Sequence, residues 1–201
     1  MMLKLRQYGL LILALLGITV SAASQELNYP WINFSNNQIN RHIADISTPE
    51  GYKRIELGEN SFGNWLQHLP LLHNGSPMRL FNGQLKQNQN AHHAIVDIDV
   101  GTTDLQQCAD AVIRLYAEYL YSCNLQDKIA FHFTNGDLAS YSNWLSGCRP
   151  KVNGNRVAWI HGDSVNDSHN VFRQYLNMIF TYAGSFRWRA NCNRSQFRTS
   201  K

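Results

Sequence analysis

The chain has 201 residues, of which 44% are apolar and 16% are charged, with five prolines and a formal net charge of +4. The low proline content and ordinary apolar content exclude an intrinsically disordered chain. The length suits one domain with a core of its own, and we expect no nucleic-acid partner.

The first 22 residues have the pattern of a secretory signal peptide. Lys4 and Arg6 precede an uninterrupted apolar run over 10–20, and Val-Ser-Ala at 20–22 provides the small residues that a signal peptidase accepts. The apolar run is shorter than the roughly 20 residues that span a bilayer. We therefore expect cleavage after Ala22, a periplasmic or secreted protein, and no transmembrane segment in the mature chain. The alternative is an uncleaved membrane anchor.

The next segment, 23–60, is polar and irregular and is interpreted as a lead-in to a domain over 61–185. That domain begins with the sequence SFGNWLQHL, which predicts a short helix capped by Ser61 and stopped by Pro70. A short strand is expected over 78–81.

Alternation of apolar and polar residues predicts a strand with two different faces between 93 and 100. Its apolar face carries Ala94, Val96, Ile98 and Val100, and its polar face carries His93, Asp97 and Asp99. Gly101 ends the strand, and a threonine cap then predicts a helix that starts near Asp104.

This helix is predicted to have two distinct faces. Spacings of three and four place one set of residues on the face towards the core: Cys108, Ala111, Val112, Leu115 and Tyr119. A second set, spaced by four, predicts an exposed ladder of charges: Asp110, Arg114 and Glu118.

The remaining elements are hairpins followed by a second long helix. Strands are predicted over 129–134 and 156–161, with turns at 135–136 and 153–155 and a helical turn over 142–147. Asp167 or Ser168 caps the last helix, which Gly184 ends; its predicted core residues are Val171, Phe172, Tyr175, Leu176, Ile179 and Phe180. This order favours an α+β fold, a single domain whose mostly antiparallel sheet packs with two long helices.

Several stretches of the sequence carry a family likeness, above all NGQLKQNQNAHHAIVDIDVGTTDLQQCADAVIRLYAEYLY at 82–121. Together with SFGNWLQHLPL, IAFHFTNG, SNWLSG, GNRVAWI and FRQYLNMIFTYAGS, this run resembles the DUF4846 family of exported bacterial proteins, over about 61–185. Tyr116 stands where the family is expected to have Arg. The family is named for having no assigned function, so the resemblance implies a whole exported domain and no activity, cofactor or site residue.

Cys108 is the candidate nucleophile, because the first turn of a helix favours a reactive thiol. His93, Asp97 and Asp99 end the preceding strand on one face and are candidates for the base and its orienting partner. His132 and His161 are further candidate bases on later strands. A Cys/His/Asp cluster of this kind predicts a cell-envelope hydrolase that acts on a cell-wall or peptide substrate.

Other interpretations of the same residues stay open. Cys108 can be a core residue or a disulfide partner, since export permits disulfides and four cysteines allow three full pairings. His93 with the two aspartates can form a hydrogen-bonded sheet face, or part of a zinc or calcium site whose further ligand is unidentified. Asp97 or Asp99 can also pair with Glu118 as in a glycosidase.

The second function class is a non-enzymatic envelope or secreted binding protein. Its basis is the number of aromatic residues and the basic tail over 186–201, which holds five basic and no acidic residues. Such a tail suits an anionic surface. A solvated chain terminus is the simpler interpretation of the tail.

Overall fold

The computed structural model describes residues 27–32 and 41–183, in which two long helices and two antiparallel β-hairpins form an α+β domain, as predicted. The helices are α1 (Phe62–Gln67), α2 (Cys108–Ser122), α3 (Tyr141–Leu145) and α4 (His169–Tyr182). The strands are β1 (Ala130–His132), β2 (Leu138–Ser140), β3 (Cys148–Asn153) and β4 (Arg156–His161). The predicted signal peptide, part of the lead-in and the basic tail lie outside the described residues.

Two apolar clusters organise the domain. The larger one joins α2, α4 and the first hairpin, and its buried members include Ile113, Ala117, Phe131, Phe172, Tyr175 and Ile179. The smaller one gathers Tyr29, Trp65 and Leu69 around α1. Helix α2 lies between the clusters, because Leu115 and Tyr119 on its other side pack against the smaller one.

The two hairpins follow from their turn residues. In the first, β1 pairs with β2 through His132 and Leu138, and Gly136 in the turn has a φ of 102°. In the second, Asn153 pairs with Arg156 around Gly154. Both turns were predicted from their Asn-Gly sequences, and the first hairpin is confirmed; in the second, the turn and β4 were predicted, whereas β3 was not.

Helix α4 also agrees with its predicted pattern. Ser168 precedes it, and its side chain accepts a hydrogen bond from the Val171 N–H. Its buried residues are Phe172, Tyr175, Leu176, Ile179 and Phe180. Within the described ranges, no helix combines the length and the apolar character needed to cross a bilayer.

The prediction of a strand between 93 and 100 is wrong. Only Val96 forms a bridge there, with Leu71, and two further backbone hydrogen bonds join Leu72 to Ile95 and Asp97 to Pro70. The segment around Leu71 forms no strand of its own, and the pairing ends after one bridge. Without a ladder, alternation along the sequence does not sort side chains onto two faces.

Helix α2 begins at Cys108, later than the predicted start near Asp104. Between these positions, backbone N–H groups bond to carbonyls two residues back, a spacing that no α-helix has. Gln107 precedes the helix, and its N–H donates to the Asp110 carboxylate at 3.1 Å. Asp110 therefore supplies the negative charge at the helix start that was expected of Asp104.

The two faces of α2 were assigned correctly only in part: Leu115 and Tyr119 pack against the smaller cluster as predicted, but other positions differ. Val112, which was predicted to lie in the core, is 39% exposed, and Cys108 is exposed as well. The predicted surface ladder is buried instead, with Asp110 8%, Arg114 1% and Glu118 0% exposed. These charges are tolerated inside because other parts of the chain supply partners for them.

Candidate functional site

Arg114 is the centre of a buried charged cluster. Its Nε donates to Glu118 Oε1 at 2.6 Å, and its Nη2 donates to Asp99 Oδ2 at 3.3 Å. Its Nη1 lies 3.3 Å from the carbonyl oxygen of Asp99 and 3.5 Å from Gln106 Oε1. One guanidinium therefore ties the segment before α2 onto the middle of that helix.

Helix α4 completes this cluster from the other side. His169 Nε2 lies 3.0 Å from Glu118 Oε2, and Arg173 Nη2 donates to Asp99 Oδ1 at 3.0 Å. We call Asp99, Arg114, Glu118, His169 and Arg173 the ion cluster. It joins α2, α4 and the segment that leads into α2.

The electrostatics of the ion cluster keep Asp99 ionised. Burial by itself raises the pKa of Asp99, but Arg173, Arg114 and the Gly101 N–H together outweigh burial and lower it. Burial and the nearby Arg114 lower the pKa of Arg173, while Asp99 and Glu118 oppose that change. Each carboxylate oxygen of Asp99 lies within hydrogen-bond distance of an arginine nitrogen, so the cluster holds the segment before α2 against both long helices.

The four predicted site residues lie in different local environments. Cys108 is an exposed residue at the start of α2, and His93 is exposed in a segment without a strand. Asp97 is half-buried, and its carbonyl accepts a 2.7 Å hydrogen bond from Trp31 Nε1. In the described part of the chain, no hydrogen bond or ion pair joins Cys108 to any of the other three. Their roles stay predictions.

A different cysteine has a histidine beside it. Cys148 and His161 are the end pair of the β3–β4 hairpin, and Cys148 Sγ lies 3.2 Å from His161 Nδ1. Cys148 is 8% exposed, whereas His161 is exposed. His161 was one of the predicted bases, but Cys148 was missed as its partner.

The hairpin explains why these two side chains meet. Cross-strand partners share a face, and Pro150 with Trp159 follow the cysteine–histidine pair on that face. Trp159 stacks on Phe133 with ring centroids 5.9 Å apart, so this face turns towards the core. The Cys148 thiol is therefore buried against the core, whereas the His161 imidazole beside it is exposed.

Two glycines close the end of the hairpin beyond this pair. The Gly162 N–H donates to the Gly147 carbonyl at 3.0 Å. Gly147 has a φ of +91°, and a Cβ placed there would lie 2.2 Å from the carbonyl oxygen of Gly162. Only glycine fits at this position, which brings the two strand ends together beside Cys148.

A sequence signal for the pair did exist. The turn at 153–155 and the strand at 156–161 were both predicted, and a tight turn sets the register of its hairpin. Extending that register back from Asn153 and Arg156 brings Cys148 opposite His161. The pair was missed because the strand β3 was not predicted.

A thiol and an imidazole at this distance are a nucleophile and a general base within reach of each other. Among the described residues, the His161 ring has no carboxylate partner, so the arrangement is a dyad. Cys108, Cys123 and Cys148 are free thiols, and Cys192 lies outside the described residues. Within the same ranges, no three His, Cys, Asp or Glu side chains are grouped to hold a metal ion.

Comparisons with known proteins give a family and no activity. No curated protein and no solved structure matches the chain. The family model of DUF4846, a domain of unknown function, matches residues 43–199. Because that match spans most of the 201 residues, the chain belongs to the DUF4846 family.

Proposed function

We propose that this protein is an exported hydrolase of the cell envelope in which Cys148 is the nucleophile and His161 the general base. The observation that carries the proposal is the 3.2 Å contact between Cys148 Sγ and His161 Nδ1. Family membership supplies no activity, so the proposal rests on this geometry and on the chemistry of the two side chains.

The reaction that suits such a dyad is acyl transfer to water. His161 takes the thiol proton while sulfur attacks the carbonyl carbon of an ester or amide, and the protonated imidazole gives that proton to the leaving alcohol or amine. Water then attacks the thioester with His161 again as base. The products are a carboxylic acid and the free thiol.

Export and the cell-wall or peptide substrate are part of the same proposal. The support for export is the apolar run over 10–20 that follows Lys4 and Arg6, and the substrate class follows from export together with acyl-transfer chemistry. Sequencing of the protein recovered from its host should give an N-terminus near Ala23. A retained Met1 would contradict a cleaved signal peptide.

The experiment treats the full-length protein with p-nitrophenyl acetate and maps the acetyl group by mass spectrometry. We expect the thioester on Cys148, and we expect Cys148→Ala to abolish it. Cys123→Ala is the matched control, because Cys123 is a half-buried free thiol elsewhere in the fold.

The other outcomes overturn the assignment in different ways. An adduct on Cys108 that survives Cys148→Ala would move the nucleophile to the exposed start of α2. Slow and equal acetylation of all four cysteines would contradict the hydrolase and favour the alternative, a non-enzymatic binding protein of the envelope.

A further inference from the structure

An open groove of about 400 Å³ lies on the surface between the segment before α2, helix α3, strand β3 and the last turns of α4. Its size is that of a small-molecule site. Its lining includes Thr103, Leu105, Trp144, Arg149, Thr181 and Tyr182.

Arg149 is held rigidly in the wall of this groove. Its guanidinium lies 3.7 Å from the ring centroid of Trp144. Its Nη1 donates to the carbonyl oxygens of Trp144, at 2.6 Å, and of Cys148, at 2.9 Å. One nitrogen and the flat face of the guanidinium are therefore used by the protein itself.

The rest of that guanidinium is available to a ligand. Nε and Nη2 of Arg149 have no hydrogen-bond partner, and the side chain has no acidic partner, among the described residues. Arg149 is also the one charged residue among the described residues that line the groove. An arginine fixed by stacking, with an open edge and no acid beside it, matches the geometry of a carboxylate.

We propose that this groove binds a ligand through a carboxylate, which Arg149 receives, next to an apolar or ring-shaped group that rests on Leu105 and Tyr182. The hydroxyls of Thr103 and Thr181 are the neutral polar groups that such a ligand would meet. A peptide C-terminus and an acidic sugar share this chemistry. The proposal does not depend on catalysis at Cys148, so the Cys148→Ala protein should bind equally well.

The test is calorimetric titration of the full-length protein with two matched pairs of ligands. N-acetylphenylalanine is compared with its amide, and glucuronate is compared with glucose. We expect an acid to bind at least tenfold more tightly than its neutral partner, since a charge-assisted bidentate pair is lost in the latter. A preference within the first pair identifies a peptide C-terminus, and one within the second pair identifies an acidic sugar.

Variants separate a site from general charge attraction. Arg149→Gln should remove the preference for the acid, whereas Lys151→Gln, which removes an exposed charge two residues along the same strand, should keep it. Equal effects of the two changes would overturn the proposal, as would equal affinities for the acid and its neutral partner.

A second variant covers the case in which Arg149→Gln disturbs the fold, because Arg149 also bonds to two backbone carbonyls. Thr181→Trp adds a large side chain at an exposed position of α4 that lines the groove, and it changes no residue of β3. It should weaken acid and neutral ligands alike by at least tenfold. Unchanged binding to a folded Thr181→Trp protein would show that the ligand is held elsewhere.

Discussion

Arg114 and Glu118 lie one helical turn apart on α2, joined by a 2.6 Å hydrogen bond, and both side chains are buried. A charge in such a place costs several kcal/mol of desolvation, which only its partners offset. Each of the two has a second partner, Asp99 for the arginine and His169 for the glutamate. The pair therefore links three parts of the chain.

The first prediction follows from removing one member of this pair. Arg114→Met should lower the free energy of unfolding by about 3–5 kcal/mol, because the buried Glu118 loses its arginine and keeps only His169 as a partner. The double variant Arg114→Met/Glu118→Met should be more stable than the single one, since no uncompensated carboxylate remains. Urea denaturation measures both. Arg156→Met is the control on an exposed arginine, and an equal loss there would contradict the role of Arg114.

The second prediction concerns acid. The folded state lowers the pKa of Asp99 below its unfolded value of about 3.9, so its contribution to stability is complete above that value. That contribution is lost as the pH falls towards the folded pKa. The Tm difference between wild type and Asp99→Asn should be largest near pH 7 and shrink below pH 4.

The expected Tm difference is small, and a control variant is available for comparison. The Asp99 side chain is 54% exposed, so solvent screening keeps the Tm difference modest. Asp104→Asn changes an exposed carboxylate in the same segment and should leave Tm nearly unchanged throughout. A Tm difference for Asp99→Asn that grows on acidification would have the wrong sign for an ionised, arginine-bound carboxylate.

The third prediction separates two neighbouring residues of α2. Ile113 is 2% exposed and Val112 is 39% exposed. Ile113→Ala should cost roughly 2–5 kcal/mol, because it leaves a cavity in the larger cluster, while Val112→Ala should cost under about 0.5 kcal/mol. Thermal or urea unfolding of the two variants checks this, and similar losses would show that the helix faces are assigned wrongly.

The fourth prediction uses the glycine beside the dyad. Gly147→Ala places a Cβ against the Gly162 carbonyl and should cost more than about 2 kcal/mol, with loss of acetylation at Cys148. Gly154 has a φ of +58° and open space around it. Gly154→Ala should therefore lower the free energy of unfolding only by the cost of placing alanine in a left-handed conformation, about 1–2 kcal/mol. Equal losses would mean that the close approach at Gly147 is unimportant.

Local patterns in the sequence were enough for the first hairpin, for the turn and last strand of the second, and for α4. The Asn-Gly turns and the Ser168 cap act within a few residues, and each is found where it was expected. The α+β class followed from the order of these elements. A structural element that is determined by residues close together in the chain can be predicted from one sequence.

The errors arose where partners come from far along the chain. The ladder on α2 was interpreted as exposed because its partners, Asp99 and His169, are 15 and 51 residues away from the residues they bind. The alternation between 93 and 100 was interpreted as a strand because nothing in the sequence shows that only Leu71 pairs there. The pairing of Cys148 with His161 was missed because β3 was not predicted.

The rate at which Cys148 accepts an acetyl group from p-nitrophenyl acetate tests the proposed dyad most directly. His161→Gln keeps a polar side chain and removes the base, so the p-nitrophenolate release attributable to Cys148 should fall by about 10²- to 10⁴-fold. His132→Gln is the matched control, because that histidine lies on β1 with its Nδ1 3.0 Å from the Gly136 carbonyl oxygen. A rate in His161→Gln equal to that in His132→Gln, with both proteins folded, would contradict the dyad.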